Sequence, residues 1–263
     1  MNIRTFRMLF QKHLIFEVFF FFGAVILFIS AFGVPKNLLA FGIIDPDKDN
    51  SAITRVISTP LTKGAVVIIG ASYVEEWNVH YFGDRPVINK GVTGQETGAM
   101  LARFEDDVVA LKPAYVLIWG FCNDIFRGER SSIDNKLIET RNNIRQMVHI
   151  AQRNAIIPIL ATEVTIRHEH GLKESLLNFL YSNLFQRSSY QDYVNEKVVA
   201  VNQWLRVFAK QKELVLLDFE SLLADEKRYR QKRYAAPDGT HISSEGYKAI
   251  TQYAQSIILP KLD

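Results

Sequence analysis

The alternation of short apolar runs with longer amphipathic segments constrains the fold of this chain more than any other feature. The segments 97–112 and 138–154 repeat apolar residues at helical spacing. Five apolar runs flank these segments and have the length and composition of strands buried on both faces: 65–71, 86–92, 114–120, 155–162 and 213–219. This alternation predicts an α/β fold with right-handed crossovers and a central parallel sheet of about five strands.

The N-terminus has the pattern of a membrane anchor. Residues 14–34 are apolar except for Glu17, and the run is close to the ~20 residues that cross a bilayer as a helix. Arg4, Arg7 and Lys12 precede it, so the positive-inside rule predicts a cytoplasmic N-terminus and export of the rest. A cleaved signal peptide and a buried core helix are the alternatives. We expect a cytoplasmic basic tail, a single-pass signal anchor, a linker and one periplasmic or extracytoplasmic domain, at 1–13, 14–34, 35–63 and 64–263.

Charge and cysteine content exclude two classes of function. The net charge of the 263 residues is only +3, and part of the basic excess lies in the tail, so a general nucleic-acid binder is not expected. Cys122 is the single cysteine, which excludes an intramolecular disulfide and any zinc site built from several cysteines. Because no histidine or basic residue adjoins it in sequence, Cys122 is expected to be a small buried side chain rather than a second nucleophile.

Residues 164–197 interrupt the alternation after the fourth apolar run. One interpretation is a helix packed on the domain, and the other is a lid or a membrane-lying helix over the site, which the predicted anchor favours. The sequence RHEH at 167–170 is expected to form a solvated loop, with a metal site as the alternative. The apolar face of the predicted helix consists of Leu172, Leu176, Phe179, Leu180 and Leu184.

Small and polar residues follow the first three apolar runs. Ser72 comes directly after the first, a position that offers a hydroxyl nucleophile and a backbone N–H together, although serine is also an ordinary helix N-cap. Gly91 at the end of the second run and Gly94 just after it allow the backbone to approach a bound substrate, and Asn123 follows the third run. Because the carboxyl ends of parallel strands share one edge of the sheet, we expect these residues to lie close together.

A carboxylate and a histidine lie near the C-terminus in the sequence PDGTH. Asp238 precedes His241 by three residues, in a loop before a helix for which Ser243 is the predicted N-cap. A carboxylate so close can accept a hydrogen bond from the imidazole Nδ1–H, which leaves the other ring nitrogen free to deprotonate a serine. The basic stretch before this loop, 226–234, is interpreted as an exposed helix end.

The alternative for this stretch is a guide for an anionic glycan or lipid headgroup. Its four cations are Arg228, Arg230, Lys232 and Arg233.

In this order the motifs resemble the four blocks of the SGNH/GDSL hydrolase superfamily, over about residues 64–258. The matching residues are Ser72 in GAS, Gly94 in NKGVTG, Asn123 in GFCND, and Asp238 and His241 in DGTH. The resemblance implies a three-layer α/β/α flavodoxin-like fold, with Ser72 as nucleophile, His241 as general base and Asp238 as its partner. It also implies an oxyanion hole made by the N–H groups of Ser72 and Gly94 and the side chain of Asn123, with no cofactor.

Two positions depart from the superfamily pattern. Ala71 stands where an aspartate is usual, and Phe121 stands where a glycine is usual, with Gly120 one position early. Phe121 is expected to narrow the pocket beside the scissile ester and so to favour a small acyl group.

Together with the anchor predicted at 14–34, the resemblance implies a membrane-anchored serine esterase that removes O-acyl groups, chiefly acetyl, from a cell-envelope glycan. Lipid and aryl esters remain open as substrates. One alternative is an O-acyltransferase that moves acetyl onto a polysaccharide with a membrane-embedded acyltransferase partner. Another is a non-catalytic anchored protein that binds glycan or acts as a scaffold.

Overall fold

The computed structural model describes residues 64–167 and 189–261, in which one six-stranded sheet forms the centre. Across the sheet the strands lie in the order β2-β3-β1-β4-β5-β6, and neighbours are parallel except for β2 and β3, so the sheet is mixed. The five parallel strands have the order typical of flavodoxin-like folds. The strands are β1 Val66–Gly70, β2 Tyr81–Phe82, β3 Arg85–Gly91, β4 Tyr115–Trp119, β5 Ile157–Ala161 and β6 Val215–Leu217.

The five predicted parallel strands are confirmed, and the antiparallel strand β2 is an addition. With two residues, β2 is too short to show the alternation by which a strand is predicted. Every residue of the central strands β1 and β4 is buried, so both faces of the sheet are covered there.

Helices connect the strands. The predicted helix 138–154 falls within α5, except for its last residue. In the described ranges the α-helices are α1 Ser72–Glu75, α2 Thr97–Ala102, α3 Phe104–Asp107, α4 Cys122–Phe126, α5 Ile133–Arg153, α6 Tyr190–Gln211, α7 Phe219–Leu223 and α8 Ser244–Ile258, and single 3₁₀ turns cover Val109–Leu111, Lys232–Tyr234 and Leu259–Lys261.

The segment 97–112, predicted from its helical spacing, forms two short α-helices and a 3₁₀ turn rather than one continuous helix. Arg103 separates α2 from α3 with φ −101° and ψ 5°, and Val108 ends α3. At this break the Arg103 guanidinium donates hydrogen bonds to the carbonyl oxygens of Gly70 (3.1 Å) and Lys90 (2.8 Å), at the ends of β1 and β3. The segment therefore supports the sheet edge rather than forming one long amphipathic helix.

The predicted insertion is described only at its two ends. Val164 and Ile166 belong to the hydrophobic core, and α6 begins at Tyr190, so residues that were assigned to the insertion are part of the domain itself. The apolar face at 172–184, the histidines of RHEH and the predicted anchor at 14–34 lie outside the described residues. Within 64–167 and 189–261 no helix is both long and apolar enough to cross a membrane.

The register of the sheet brings three chain segments to one edge. Gly70, the last residue of β1, pairs with Gly91 of β3 on one side and with Trp119 of β4 on the other. The strand order reverses at β1, and such a reversal opens a crevice at the carboxyl ends of the strands. The residues that follow β1, β3 and β4 therefore leave the sheet around one crevice.

Candidate active site

Ser72 lies at a tight turn between β1 and α1. As the first residue of α1 it has no acceptor for its N–H within the helix, so this group is free for a ligand. The turn requires Gly70, because a Cβ there would lie 2.0 Å from the carbonyl oxygen of Trp119 and 2.3 Å from Val74 Cγ2. Strand, turn and helix thus present a hydroxyl and a backbone donor together.

Asp238 and His241 form a hydrogen-bonded pair within one loop. Asp238 Oδ2 lies 2.5 Å from His241 Nδ1, while Oδ1 accepts the backbone N–H groups of Thr240 (2.9 Å) and His241 (2.8 Å). Partial burial raises the pKa of Asp238, but the hydrogen bonds from His241 and Thr240 outweigh it, so the pKa lies below its ordinary value. The carboxylate is therefore ionised at neutral pH and holds the imidazole ring with Nδ1 protonated.

Gly94 and Asn123 follow β3 and β4. Gly94 has φ +78°, a left-handed conformation that suits glycine, and a Cβ there would lie 2.9 Å from Arg127 Nη2. The Asn123 side-chain amide donates one N–H to the Gln95 carbonyl oxygen at 2.9 Å, which leaves its second N–H available. Both residues carry donors of the kind that stabilise an oxyanion.

One cavity of about 200 Å³ brings these residues together. Ser72, Gly94, Asn123 and His241 line it, as the sequence predicted for residues of one sheet edge. The remaining lining residues are Ala71, Tyr73, Thr93, Trp119, Gly120, Cys122, Phe126, Glu163 and Thr240. The cavity therefore combines a hydroxyl, an oriented imidazole and amide donors with mostly apolar walls.

Two predicted substrate-binding residues lie elsewhere. Phe121 is buried in the hydrophobic core and is absent from the lining of this cavity, so it does not narrow the pocket as expected. Its neighbours Cys122 and Asn123 face the cavity because α4 begins there. Gly91 is needed for packing, since a Cβ there would lie 2.1 Å from the backbone nitrogen of Glu75.

Tyr73 connects the segment of Ser72 to the loop that carries His241, a contact that the sequence did not reveal. Its hydroxyl donates to the Thr240 carbonyl oxygen at 2.7 Å, and its own carbonyl accepts from the Tyr247 hydroxyl at 3.0 Å. Tyr73 and Thr240 are 167 residues apart in the chain. Short sequence motifs cannot reveal a contact over such a separation.

The burial of Arg230 departs from the exposed helix end predicted for 226–234, and it also argues against the alternative in which four cations attract an anionic substrate. Its side chain is fully buried, with hydrogen bonds to the carbonyl oxygens of Thr165 (2.8 Å) and His241 (2.5 Å) and to the Tyr73 hydroxyl (3.0 Å). A buried guanidinium with these bonds cannot attract a substrate from solution. Arg228 forms an ion pair with buried Glu220 at 2.5 Å, so it too serves the fold.

Two other predictions near the site are confirmed. Cys122 is buried, and burial raises the pKa of its thiol well above the ordinary value, so the thiol is protonated at neutral pH. Ser243 is the N-cap of α8, and its hydroxyl accepts the Gly246 N–H at 3.1 Å.

Fold and site together define a hydrolase that uses a serine to cleave ester bonds. Residues 65–249 match the GDSL-like lipase/acylhydrolase family, and the chain belongs to this family. No protein of curated function matches the chain.

Solved structures of bacterial proteins share the fold. A protein described as an acylhydrolase from Bacteroides fragilis is 26% identical, with a TM-score of 0.59, and the match covers 84% of this chain and 100% of that one. A protein described as lipolytic, of the G-D-S-L family, from Desulfitobacterium hafniense is 25% identical, with a TM-score of 0.55 and coverage of 74% and 99%. An acetylxylan esterase from Geobacillus stearothermophilus, at 16% identity, has a TM-score of 0.51 with coverage of 76% and 96%, a likeness of fold alone.

Proposed function

We propose that this protein hydrolyses short O-acyl esters through a Ser72–His241–Asp238 triad and an acyl-enzyme. The observation that carries the proposal is the 2.5 Å contact between Asp238 Oδ2 and His241 Nδ1 beside a cavity that Ser72 also lines. An imidazole fixed in this way has Nε2 as its free base, which a serine nucleophile requires.

The first half of the reaction forms the acyl-enzyme. Ser72 Oγ attacks the ester carbonyl carbon while His241 Nε2 takes the hydroxyl proton. The resulting oxyanion accepts hydrogen bonds from the N–H groups of Ser72 and Gly94 and from the free N–H of Asn123. Collapse of the tetrahedral intermediate breaks the bond to the alcohol oxygen, which leaves with the proton from His241 Nε2.

The second half uses the same groups with water. Water attacks the acyl carbon and gives its proton to His241 Nε2. This step forms a second tetrahedral oxyanion, which accepts hydrogen bonds from the same three donors. Its collapse breaks the bond to Ser72 Oγ, which recovers the proton. The products are one carboxylic acid and one alcohol, and the enzyme returns to its starting state.

The size of the cavity supports a short acyl group. About 200 Å³ admits acetyl and similar groups, whereas a polysaccharide must remain outside. The His241 side chain is 35% exposed, so the leaving alcohol can belong to a large molecule. As the alcohol we propose a cell-envelope glycan, because the charge pattern around residues 14–34 favours an exported, anchored domain.

The triad is tested by labelling the full-length protein with a fluorophosphonate and locating the label by peptide mass spectrometry. We expect stoichiometric labelling at Ser72 that is abolished in Ser72→Ala and His241→Ala. Ser256→Ala, at an exposed serine on α8, serves as the matched control and should label normally. Absence of label on a folded wild-type protein would contradict the proposal.

Substrate class and location have tests of their own. Aryl acetate should be hydrolysed with a kcat/KM at least about ten-fold above that of aryl octanoate, since the longer chain exceeds the cavity. Equal rates would contradict a short acyl group. Retention of residues 14–34 in a membrane-bound mature chain would support the anchor, whereas a mature N-terminus near Phe41 would contradict it.

A further inference from the structure

Glu163 is a buried acidic side chain in the wall of the active-site cavity. It lies two residues beyond β5, is 2% exposed, and lines the same cavity as Ser72. Its backbone is held by Asn202, which accepts the Glu163 N–H at 2.9 Å and donates to its carbonyl oxygen at 2.7 Å. Asn202 of α6 therefore fixes the backbone of Glu163.

The carboxyl group of Glu163 uses only part of its hydrogen-bonding capacity. Among the residues that the structure describes, its Oε2 has no hydrogen-bond partner. Buried polar groups are nearly always hydrogen-bonded, so this oxygen, in a residue that lines the cavity, is a candidate contact for a bound acyl group. Burial raises the pKa of Glu163 to about 7, against the opposing effects of the Cys122 thiol, the backbone amides of Cys122 and Phe121, and the Arg230 charge.

The difference in exposure between Glu163 and His241 indicates which part of an ester contacts Glu163. The leaving alcohol must lie beside His241, from which it takes its proton, and this side chain is 35% exposed. The acyl group then extends away from His241 into the cavity. Glu163, at 2% exposed, belongs to this buried part.

The charges around Glu163 favour a neutral hydrogen-bond donor over a cation. Arg230 is fully buried, and its three acceptors, Thr165 O, His241 O and Tyr73 Oη, are all uncharged. The Arg230 charge therefore offsets part of the cost of an ionised Glu163 through the protein interior. A buried ammonium group would lose its own hydration and bring a second cation beside Arg230, whereas a hydroxyl adds no charge.

We propose that Glu163 recognises an acyl group that carries a hydroxyl close to the ester carbonyl, so that short hydroxyacyl esters are the preferred substrates. This inference rests on the proposed esterase function and deepens it. The hydroxyl donates to Oε2 when the carboxyl group is ionised and can accept from it when it is protonated. An unsubstituted acyl group of the same size leaves the carboxyl group without a partner, which is the arrangement by which sites select strongly for a hydroxyl.

The test compares ethyl glycolate with ethyl propionate, which differ by a hydroxyl in place of a methyl group. For the full-length wild-type protein, the glycolate-to-propionate ratio of kcat/KM should exceed the ratio for hydroxide-catalysed hydrolysis by about ten-fold or more. Division by the hydroxide ratio removes the intrinsic reactivity of the two esters. A wild-type ratio equal to the ratio for hydroxide-catalysed hydrolysis would overturn the inference, and this outcome requires no measurement on a variant.

Three variants refine this test. Glu163→Leu should lower the ratio about ten-fold, whereas Glu163→Gln, which keeps a hydrogen-bonding group, should stay within about three-fold of wild type. Phe126→Leu, an apolar change in the same cavity wall, is the matched control and should leave the ratio within about two-fold. An unchanged ratio in a folded Glu163→Leu protein would overturn the proposal.

Two further measurements also test the inference. Preference for ethyl glycinate, whose amine is largely an ammonium at pH 6.5, over ethyl glycolate would overturn the inference of a neutral donor. Fluorophosphonate labelling of Ser72 separates this inference from the proposed function. If Ser72 is labelled and the glycolate-to-propionate ratio equals that of hydroxide-catalysed hydrolysis, only the proposed role of Glu163 is contradicted. If Ser72 does not label and neither ester turns over, the esterase proposal fails and this inference fails with it.

Discussion

Arg230 Nη1 donates a hydrogen bond of 2.5 Å to the carbonyl oxygen of His241. The same guanidinium contacts the hydroxyl of Tyr73, the residue directly after Ser72, at 3.0 Å. One buried cation thus joins the segment of the predicted nucleophile to that of the predicted base, although Arg230 and Tyr73 are 157 residues apart in the chain. The position of His241 relative to Ser72 therefore depends on a residue outside the superfamily motifs.

Replacing Arg230 with lysine should lower both stability and activity. Lysine carries its three donors on one nitrogen and cannot reproduce the fork that reaches three separate acceptors. We expect a loss of about 2–4 kcal/mol in the free energy of unfolding, measured with urea, together with a fall in kcat. Arg233→Lys is the control, because this side chain is 57% exposed and should change stability by no more than about 0.5 kcal/mol. Equal stability of the two variants would contradict this role for Arg230.

The sheet was predictable because its signal is local. Apolar runs of strand length alternating with helical spacing identified the five parallel strands, and parallel strands place their carboxyl ends at one edge. Ser72 and Asn123 follow two such strands, and Asp238 and His241 are only three residues apart. Each of these relationships can be derived within a short window of sequence or from strand direction.

The contacts that the sequence did not reveal are those between distant segments. Arg230 was predicted to be solvated because the residues around it in sequence are basic. In the structure its hydrogen-bond acceptors come from three other parts of the chain. Phe121 was placed in the pocket although the residues after it face the cavity instead. Glu163 had a usable signal, a lone carboxylate just beyond an apolar strand, in the same position relative to β5 as Ser72 to β1.

The Asp238→Asn variant should retain substrate binding and lose turnover. Asparagine cannot hold the imidazole with Nδ1 protonated in the same way, so His241 Nε2 is no longer reliably the free base. In a serine hydrolase with this triad the same change costs about 10⁴ in kcat. Steady-state kinetics on a short-chain aryl ester should show this fall with KM nearly unchanged. A decrease of less than about ten-fold would indicate that His241 is oriented by other contacts.

The Gly94→Ala variant tests the oxyanion hole through backbone conformation. Alanine at φ +78° is strained, and its Cβ would lie 2.9 Å from Arg127 Nη2, so the N–H of residue 94 should move. We expect kcat to fall about ten-fold or more and stability to fall by about 1 kcal/mol.

Gly98→Ala in α2 is the matched control for this change. The nearest atoms to a Cβ at Gly98 lie 3.8 and 3.9 Å away, which is ordinary contact. Because alanine favours a helix, Gly98→Ala should leave kcat unchanged and stabilise the protein by about 0.5–1 kcal/mol. Normal turnover by Gly94→Ala would argue against the Gly94 N–H as an oxyanion donor.

The raised pKa of Glu163 predicts how stability depends on pH. Below pH 4.5 the carboxyl group is protonated in the folded and unfolded chains, so it has no effect on the pH dependence. Between pH 4.5 and about 7 the unfolded chain releases this proton while the folded chain retains it, and stability falls as pH rises. Since each pH unit of this window is worth about 1.4 kcal/mol, the full loss is on the order of 3 kcal/mol.

Urea unfolding of wild type and Glu163→Gln across pH 4 to 8 isolates this contribution. Glutamine does not titrate, so the stability difference between variant and wild type should shift in favour of the variant from pH 4.5 to 7 and stay constant above. Asp124, whose burial also raises its pKa, is present in both proteins and cancels in the comparison. Parallel stability curves for the two proteins would mean that Glu163 titrates as an ordinary glutamate, and the buried carboxyl group would then be solvated in solution.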